Sequence, residues 1–110
     1  MIESWQHTTA SNQTGYIMEM PDFDTFKAHA LARGFDAVLA RDWAPHQQVG
    51  EHAHPFDADA LVVFGEMWLT VDGQTRHLLP GDTFILPAMK PHEERYGADG
   101  ATYWVARRNA

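Results

Sequence analysis

Residues 60–79, ALVVFGEMWLTVDGQTRHLL, contain the pattern that decides the fold. Three short strand-like runs in this stretch are separated by Gly65 and by Asp72-Gly73. The Asp-Gly pair predicts a tight β-hairpin, because both residues tolerate the positive φ that a two-residue primed turn requires. The stretch therefore predicts neighbouring antiparallel strands.

The same pattern extends in both directions, from residue 35 to residue 107. Short β-type runs alternate with turn residues such as Pro45, Pro55 and Pro80-Gly81. The predicted strands are residues 35–43, 48–54, 60–64, 67–71, 76–79, 83–86, 93–96 and 102–107. Many short strands with closely spaced turns predict an all-β protein with a sandwich or barrel, rather than a parallel sheet that alternates with helices.

One helix is predicted, over residues 22–33. Apolar side chains recur there at helical spacing, and Gly34 follows as a stop signal. Asp22 or Asp24 can cap the first turn, because an aspartate side chain accepts hydrogen bonds from the free N–H groups of a helix start.

The domain organisation is simple, because 110 residues are enough for one domain and too few for two. Residues 1–21 are predicted to form a loose polar arm with a short strand at residues 16–20. Residues 22–110 are predicted to form the single domain.

Composition excludes several classes of function. Eight basic and fifteen acidic residues give a net charge of −7, which disfavours nucleic-acid and membrane-surface partners. The chain has no cysteine, so disulfides, thiolate nucleophiles and cysteine-based metal sites are excluded. Neither a membrane-spanning run nor a secretory signal is visible, and we expect a cytoplasmic protein.

Histidines supply the most informative functional pattern. His52 and His54 are two positions apart, so on a strand both imidazoles lie on one face. His92 follows on another strand-like segment, and a folded barrel can bring it alongside the first two. Three neutral imidazoles can form one side of a metal coordination shell and leave positions for water or substrate. The alternative is that the His-x-His pair is only polar surface.

Two longer segments contain these histidines and resemble the two signature motifs of the cupin superfamily. They are GEHAHPFDADALVVFGEM, residues 50–67, and PGDTFILPAMKPH, residues 80–92. The matching residues are His52, His54, Gly65, Pro80, Gly81, Asp82, Pro87 and His92. The resemblance covers residues 35–107 and implies an antiparallel double-sheet β-barrel, or jelly roll, with a divalent metal ion in its mouth.

The chain departs from the family motifs at two positions. The glutamate of the first motif falls on Ala58, which cannot bind a metal ion. Asp57 and Asp59 flank it, but strand alternation turns them away from the histidine face unless a bulge shifts the register. A site of three histidines is therefore favoured, and one that Asp59 or Asp57 joins stays open. Met89 stands where the family usually has glycine, and it either narrows the pocket mouth or is a packing detail.

Glu94 and Tyr96 share the face of His92 and are the predicted catalytic residues. Glu94 beside a cation can accept or donate a proton, or fix the tautomer of a ligand histidine. The alternative is that it pairs with an arginine on the rim: Arg76, Arg95 or Arg107. Val62 and Phe64 share the parity of the histidines, and we expect them to form an apolar floor or ordinary core.

The remaining histidines, His7, His29, His46 and His77, lack partners at ligand spacing and are expected to face solvent.

The resemblance implies a metalloenzyme of dioxygenase, isomerase or lyase type that acts on a small metal-chelating organic molecule. One divalent ion per chain is expected, and the ligands do not distinguish Fe, Zn, Ni and Mn. The alternative is a non-catalytic cupin that binds or senses a small molecule. By analogy with cupins, a homodimer is expected.

Overall fold

The computed structural model describes residues 20–109, so most of the predicted arm and of the strand at residues 16–20 lies outside the described residues. Helix α1 spans Phe23–Ala32, and the Asp22 side chain accepts a hydrogen bond from the Thr25 N–H at 2.8 Å. This confirms the predicted helix and its cap. Phe23 and Phe26 pack against Trp104, which holds α1 on the sheet.

Six strands follow the helix. They are β1 (Ala37–Trp43), β2 (Gln48–His52), β3 (Phe56–Val71), β4 (Gln74–Leu78), β5 (Thr83–Leu86) and β6 (His92–Asn109). Every pairing is antiparallel, and the path β1-β6-β3-β4 is completed by β2 on β6 and β5 on β3. The protein is therefore mostly antiparallel β-sheet with one short helix, as predicted. Closure of this sheet into a barrel stays a prediction.

Two long strands hold the sheet together. The first half of β3 pairs with β5 and the C-terminal half of β6, whereas its second half pairs with β4 and the N-terminal half of β6. Strands β1 and β2 extend the same two halves along β6. The sheet therefore has two regions, which share β3 and β6.

Glycines lie where the long strands pass between these regions. Gly65 and Gly100 have φ values of 75° and 72°, and a Cβ on Gly65 would collide with the Gly100 carbonyl oxygen. Register shifts flank Gly65, so the chain bends there without ending the strand. The prediction of separate strands at 60–64 and 67–71, and at 93–96 and 102–107, was therefore wrong. The shift also turns Phe64 outward, where it is 54% exposed, so Phe64 does not form the predicted floor.

The predicted hairpin is present between β3 and β4. Asp72 and Gly73 have φ values of 53° and 77°, and Val71 pairs with Gln74 across the turn. Both central residues have positive φ, as the primed turn requires.

The core lies mainly on the inward faces of β3 and β6, with contributions from β4 and β5. It is formed by Ala58, Ala60, Val62, Met67, Leu69, Leu78, Phe84, Leu86, Tyr96, Ala101, Tyr103 and Val105. Two buried polar residues, His92 and Glu94, adjoin it on β6. Burial of polar groups at the edge of an apolar core is costly unless they have partners, so His92 and Glu94 require polar partners within the protein. Among the described residues, no helix has the length and apolar character needed to cross a membrane.

Candidate metal centre

The three predicted histidines converge. His52 ends β2, His54 follows it in the next loop, and His92 begins β6 directly opposite His52. One ring nitrogen from each lies within 4.8 Å of those of the other two. Ring centroids are 4.2 Å apart for His52 and His92, and 5.2 Å apart for His54 and His92. The structure therefore brings together imidazoles that are far apart in sequence.

Main-chain carbonyls fix the tautomers of two of these rings. Nδ1 of His52 lies 2.7 Å from the Gly50 carbonyl oxygen, and Nδ1 of His92 lies 2.9 Å from that of Lys90. A carbonyl only accepts hydrogen bonds, so both Nδ1 atoms carry the proton of the neutral ring. Nε2 of each neutral ring is then a lone-pair donor that points into the cluster.

A carboxylate faces the same two nitrogens. Oε2 of Glu94 lies 3.5 Å from Nε2 of His52 and 3.3 Å from Nε2 of His92. Nε2 of His92 is buried without a hydrogen-bond partner. Neutral imidazole nitrogens and a carboxylate oxygen are all acceptors here, so they require a proton, a metal ion or a hydrogen-bond donor such as water among them. Two donors bound to one tetrahedral ion are about 3.4 Å apart, so these residues fit a metal.

Two tyrosines hold the other oxygen of this carboxylate. The Tyr96 hydroxyl donates to Oε1 of Glu94, and the Tyr103 hydroxyl lies 3.5 Å from the same atom. Glu94 is only 6% exposed. The alternative prediction, that Glu94 pairs with an arginine on the rim, is therefore wrong. Tyr96 shares the face of Glu94 and His92 as predicted.

Electrostatics in this cluster favour a carboxylate and neutral phenols. Burial would raise the pKa of Glu94, but the contacts with His92 and Tyr96 outweigh it and lower the pKa. Burial similarly opposes charge on His92, yet Glu94 and the Lys90 carbonyl raise its pKa. Burial raises the pKa of Tyr103 to about 12 and raises that of Tyr96 further. Both phenols therefore stay protonated and donate to the carboxylate at neutral pH.

The pKa of His54 is shifted downward, opposite to that of His92. Burial lowers its pKa, and the neighbouring His52 and His92 lower it further. The neutral form of His54 is therefore favoured, and only a neutral imidazole can bind a metal ion.

The aspartates beside Ala58 do not reach the imidazoles. Oδ2 of Asp59 lies 3.3 Å from Nη1 of Arg33, next to helix α1. Oδ1 of Asp57 accepts a hydrogen bond from the Ala88 N–H at 2.8 Å. Ala58 itself lines the cavity that contains His54, His92 and Glu94. The structure thus gives no support to Asp59 as a ligand, and the nearby carboxylate is that of Glu94.

Met89 adopts the backbone conformation that favours glycine. Its φ is 63°, and its N–H donates to the His54 carbonyl oxygen at 2.6 Å. A left-handed backbone explains why glycine suits this position, and the hydrogen bond holds the His54 segment in place. The Met89 side chain is 64% exposed, so it is not packed into the core.

Several cavity residues were missed by sequence reasoning. Arg41, Tyr103 and Arg107 line the cavity together with the histidines. Strand alternation on β6 places Tyr103 and Arg107 on one face and was the signal that could have found them. His77 lies away from this cavity, stacked on Trp68 with Nε2 at 2.6 Å from Oε2 of Glu66.

A family model described as the cupin domain matches residues 41–106. The chain belongs to the cupin family. Its fold and the positions of its histidines agree with the resemblance that its two motifs carry. A comparison with curated proteins gives no match.

Solved structures support the cupin fold. The chain is 28% identical to a structure described as the DMSP lyases RdDddP and RnDddQII, with a TM-score of 0.62 over 66% of this chain and 38% of that one. It is 21% identical to KdgF from Halomonas sp., with a TM-score of 0.57 over 66% of this chain and 69% of the other.

A cupin superfamily protein from Desulfitobacterium hafniense is 22% identical, with a TM-score of 0.56 over 68% of this chain and 81% of that one. This cupin therefore spans well under half of the lyase chain but most of the other two.

Proposed function

We propose that this cupin is a divalent-metal-dependent enzyme that acts on a small organic molecule able to chelate the ion. One observation carries the proposal. Oε2 of Glu94 lies 3.5 Å from Nε2 of His52 and 3.3 Å from Nε2 of His92, and one ring nitrogen of His54 lies within 4.8 Å of those of the other two histidines. A cation shared by these atoms removes the mutual repulsion of their lone pairs.

Four side chains would hold the ion: His52, His54, His92 and Glu94. Glu94 supplies the carboxylate that Ala58 does not, so the ligand comes from β6 instead of β3. A nitrogen and oxygen ligand set without thiolates suits Fe, Zn, Ni or Mn. When bound, the ion supplies Lewis acidity to a chelating oxygen and to water. A jelly-roll barrel, if the two halves of the sheet close, would place this set at its mouth.

The tyrosines have different roles in this proposal. Tyr96 is 1% exposed and donates to Glu94, so it is a positioning residue for the carboxylate. Tyr103 lines the cavity, and its hydroxyl keeps its proton because its pKa is raised to about 12. Tyr103 can therefore donate a hydrogen bond to a bound molecule in place of its long 3.5 Å contact with Glu94.

A lyase or isomerase reaction is favoured over a dioxygenase reaction. The support is the 28% identity to a structure of DMSP lyases. The Tyr103 hydroxyl and a Lewis-acidic ion on one cavity wall would stabilise negative charge that develops on a substrate oxygen in such a reaction.

The test uses the full chain, loaded separately with Zn²⁺, Mn²⁺, Ni²⁺ and Fe²⁺. Each form is incubated with a panel of small hydroxy acids, keto acids and sulfonium carboxylates, in air and under argon, and products are followed by NMR. Turnover that persists under argon is expected, with loss in His92→Ala and retention in His77→Ala. Turnover that requires air would contradict the reaction class. Metal uptake without turnover would support a binding cupin instead.

A further inference from the structure

Two arginines share the cavity with the metal centre. Arg41 of β1 pairs directly with Tyr103 of β6, and Arg107 is four residues further along the same face of β6. Both line the cavity that also contains His54, His92 and Glu94. The cavity is therefore bounded by the metal-binding cluster at one place and by guanidinium groups at another.

Arg107 has an unused hydrogen-bond donor. Its Nε is buried without a hydrogen-bond partner, and its guanidinium carbon lies 4.4 Å from the centre of the Phe56 ring. A buried donor that lacks a partner is destabilising, and a stacked guanidinium keeps its planar fork available to a carboxylate or phosphate.

No described carboxylate forms an ion pair with either arginine. Within residues 20–109 the arginine ion pair is that of Arg33 with Asp59, on the outside of the sheet. Arg41 instead lies 4.7 Å from the Trp43 ring. Glu94, the carboxylate of the cavity, contacts His52, His92 and the two tyrosines.

The resulting charge balance is positive. With neutral imidazoles, the cavity has one carboxylate and two guanidinium groups, so it is positive before any metal ion binds. The chain as a whole has a net charge of −7, so this positive cavity stands out from its surroundings. A positively charged concave site selects anions, because its low-dielectric walls strengthen the interaction.

We propose that a small carboxylate-bearing molecule binds at this cavity, with its carboxylate on Arg107 and a second donor group on the metal ion. This substrate class rests on the proposed function. Arg107 is the specificity-determining residue in this arrangement, and Arg41 adds to the positive potential of the cavity. The enclosed space is about 20 Å³, close to that of one water molecule, so the carbon skeleton of the bound molecule lies at the cavity mouth and not among Phe56, Phe84 and Leu86.

The test is a calorimetric titration of the zinc-loaded full chain with three dicarboxylates of increasing length: malonate, succinate and glutarate. Each is compared with its monoamide, which has one charge fewer. We expect at least one dicarboxylate to bind about tenfold more tightly than its monoamide, and Arg107→Gln to lose that preference with a loss of about tenfold or more in affinity. Arg107→Lys should retain part of it, and Arg41→Gln should show a smaller loss.

Arg108→Gln is the matched control. It removes the same charge from the neighbouring residue, which faces the other side of β6 and stacks on Phe35. Zinc content and thermal stability are measured for every variant. Retained zinc with unchanged dicarboxylate affinity in Arg107→Gln would overturn the inference, as would failure of the wild type to bind any of the three acids.

Failure of the proposed function has a separate signature. If the wild type takes up no zinc, the metal proposal is wrong, and the same titrations on the metal-free chain still decide the role of Arg107. Loss of dicarboxylate binding in the variant would then support an anion site alone, and equal binding in both proteins would overturn it.

Discussion

Replacement of Glu94 by glutamine probes the metal centre at one atom. The substitution keeps the size of the side chain and an oxygen that can accept from Tyr96. It replaces the charged oxygen that lies 3.3 Å and 3.5 Å from two ligand nitrogens. An amide nitrogen placed there would donate to those imidazoles and compete with an ion. We therefore expect E94Q to fold and to bind divalent metal ions more weakly.

The expected magnitude follows from the position of the carboxylate. Loss of a carboxylate that only supports the ligands typically weakens metal binding about 10- to 100-fold, or about 1.4–2.7 kcal/mol, so loss of a direct ligand should cost at least this much. The ratio should depend on pH, because Glu94 also raises the pKa of His92. In the wild type a proton on His92 competes with the ion as pH falls. E94Q lowers that pKa and weakens the competition, so the affinity ratio should be largest near pH 8 and smaller near pH 6.

The assay is a competition titration with a zinc-selective chelating dye at both pH values. Glu93→Gln is the matched control, since it removes the same charge from the adjacent exposed residue of β6, and it should change the affinity less than about threefold. Equal zinc affinities of E94Q and wild type near pH 8 would refute the role given to Glu94. A ratio that grows toward pH 6 would refute the proposed competition by the proton.

Three further results are expected. In the metal-free protein, NMR titration should place the pKa of His92 above 6.5 and that of His54 below it; the reverse order would contradict the account of their surroundings. Asp59→Asn should leave zinc affinity within about twofold and change the free energy of unfolding by less than about 1 kcal/mol, because its partner Arg33 is half exposed. Gly65→Ala should cost about 3 kcal/mol in urea unfolding, whereas Gly73→Ala, with open space around it, should cost about 1–2 kcal/mol; equal losses would exclude the steric explanation.

Local signals in the sequence predict much of the fold. Asp22 and Gly34 bound the helix because cap chemistry depends on a few neighbouring atoms, and Asp72-Gly73 fixes the hairpin for the same reason. The continuity of β3 and β6 could not be predicted in this way. A glycine such as Gly65 commonly marks the end of a strand. Here its backbone lies against that of Gly100 across the sheet, so the strand bends at Gly65 and continues. A contact between distant segments is absent from any local pattern.

Strand alternation and the two family motifs were enough to predict the three histidines of the site. The His-x-His spacing and the two cupin motifs identify the same residues, which are His52, His54 and His92. Parity also places Glu94 on the face of His92, but as a catalytic residue and not as a ligand. The sequence predicts a ligand carboxylate only beside Ala58 on β3, whereas Glu94 of β6 lies against two imidazoles. Which of several carboxylates turns inward depends on the register between strands. The same limit applies to Arg107, whose neighbours belong to other strands.

X-ray absorption spectroscopy of the zinc-loaded chain tests the metal centre most directly, because the scattering of imidazole rings counts histidine ligands. We predict three imidazoles at about 2.0–2.1 Å with an oxygen ligand, and two imidazoles in His54→Ala. A spectrum with one imidazole or none, or with the same count in wild type and His54→Ala, would contradict a shared ion among these residues.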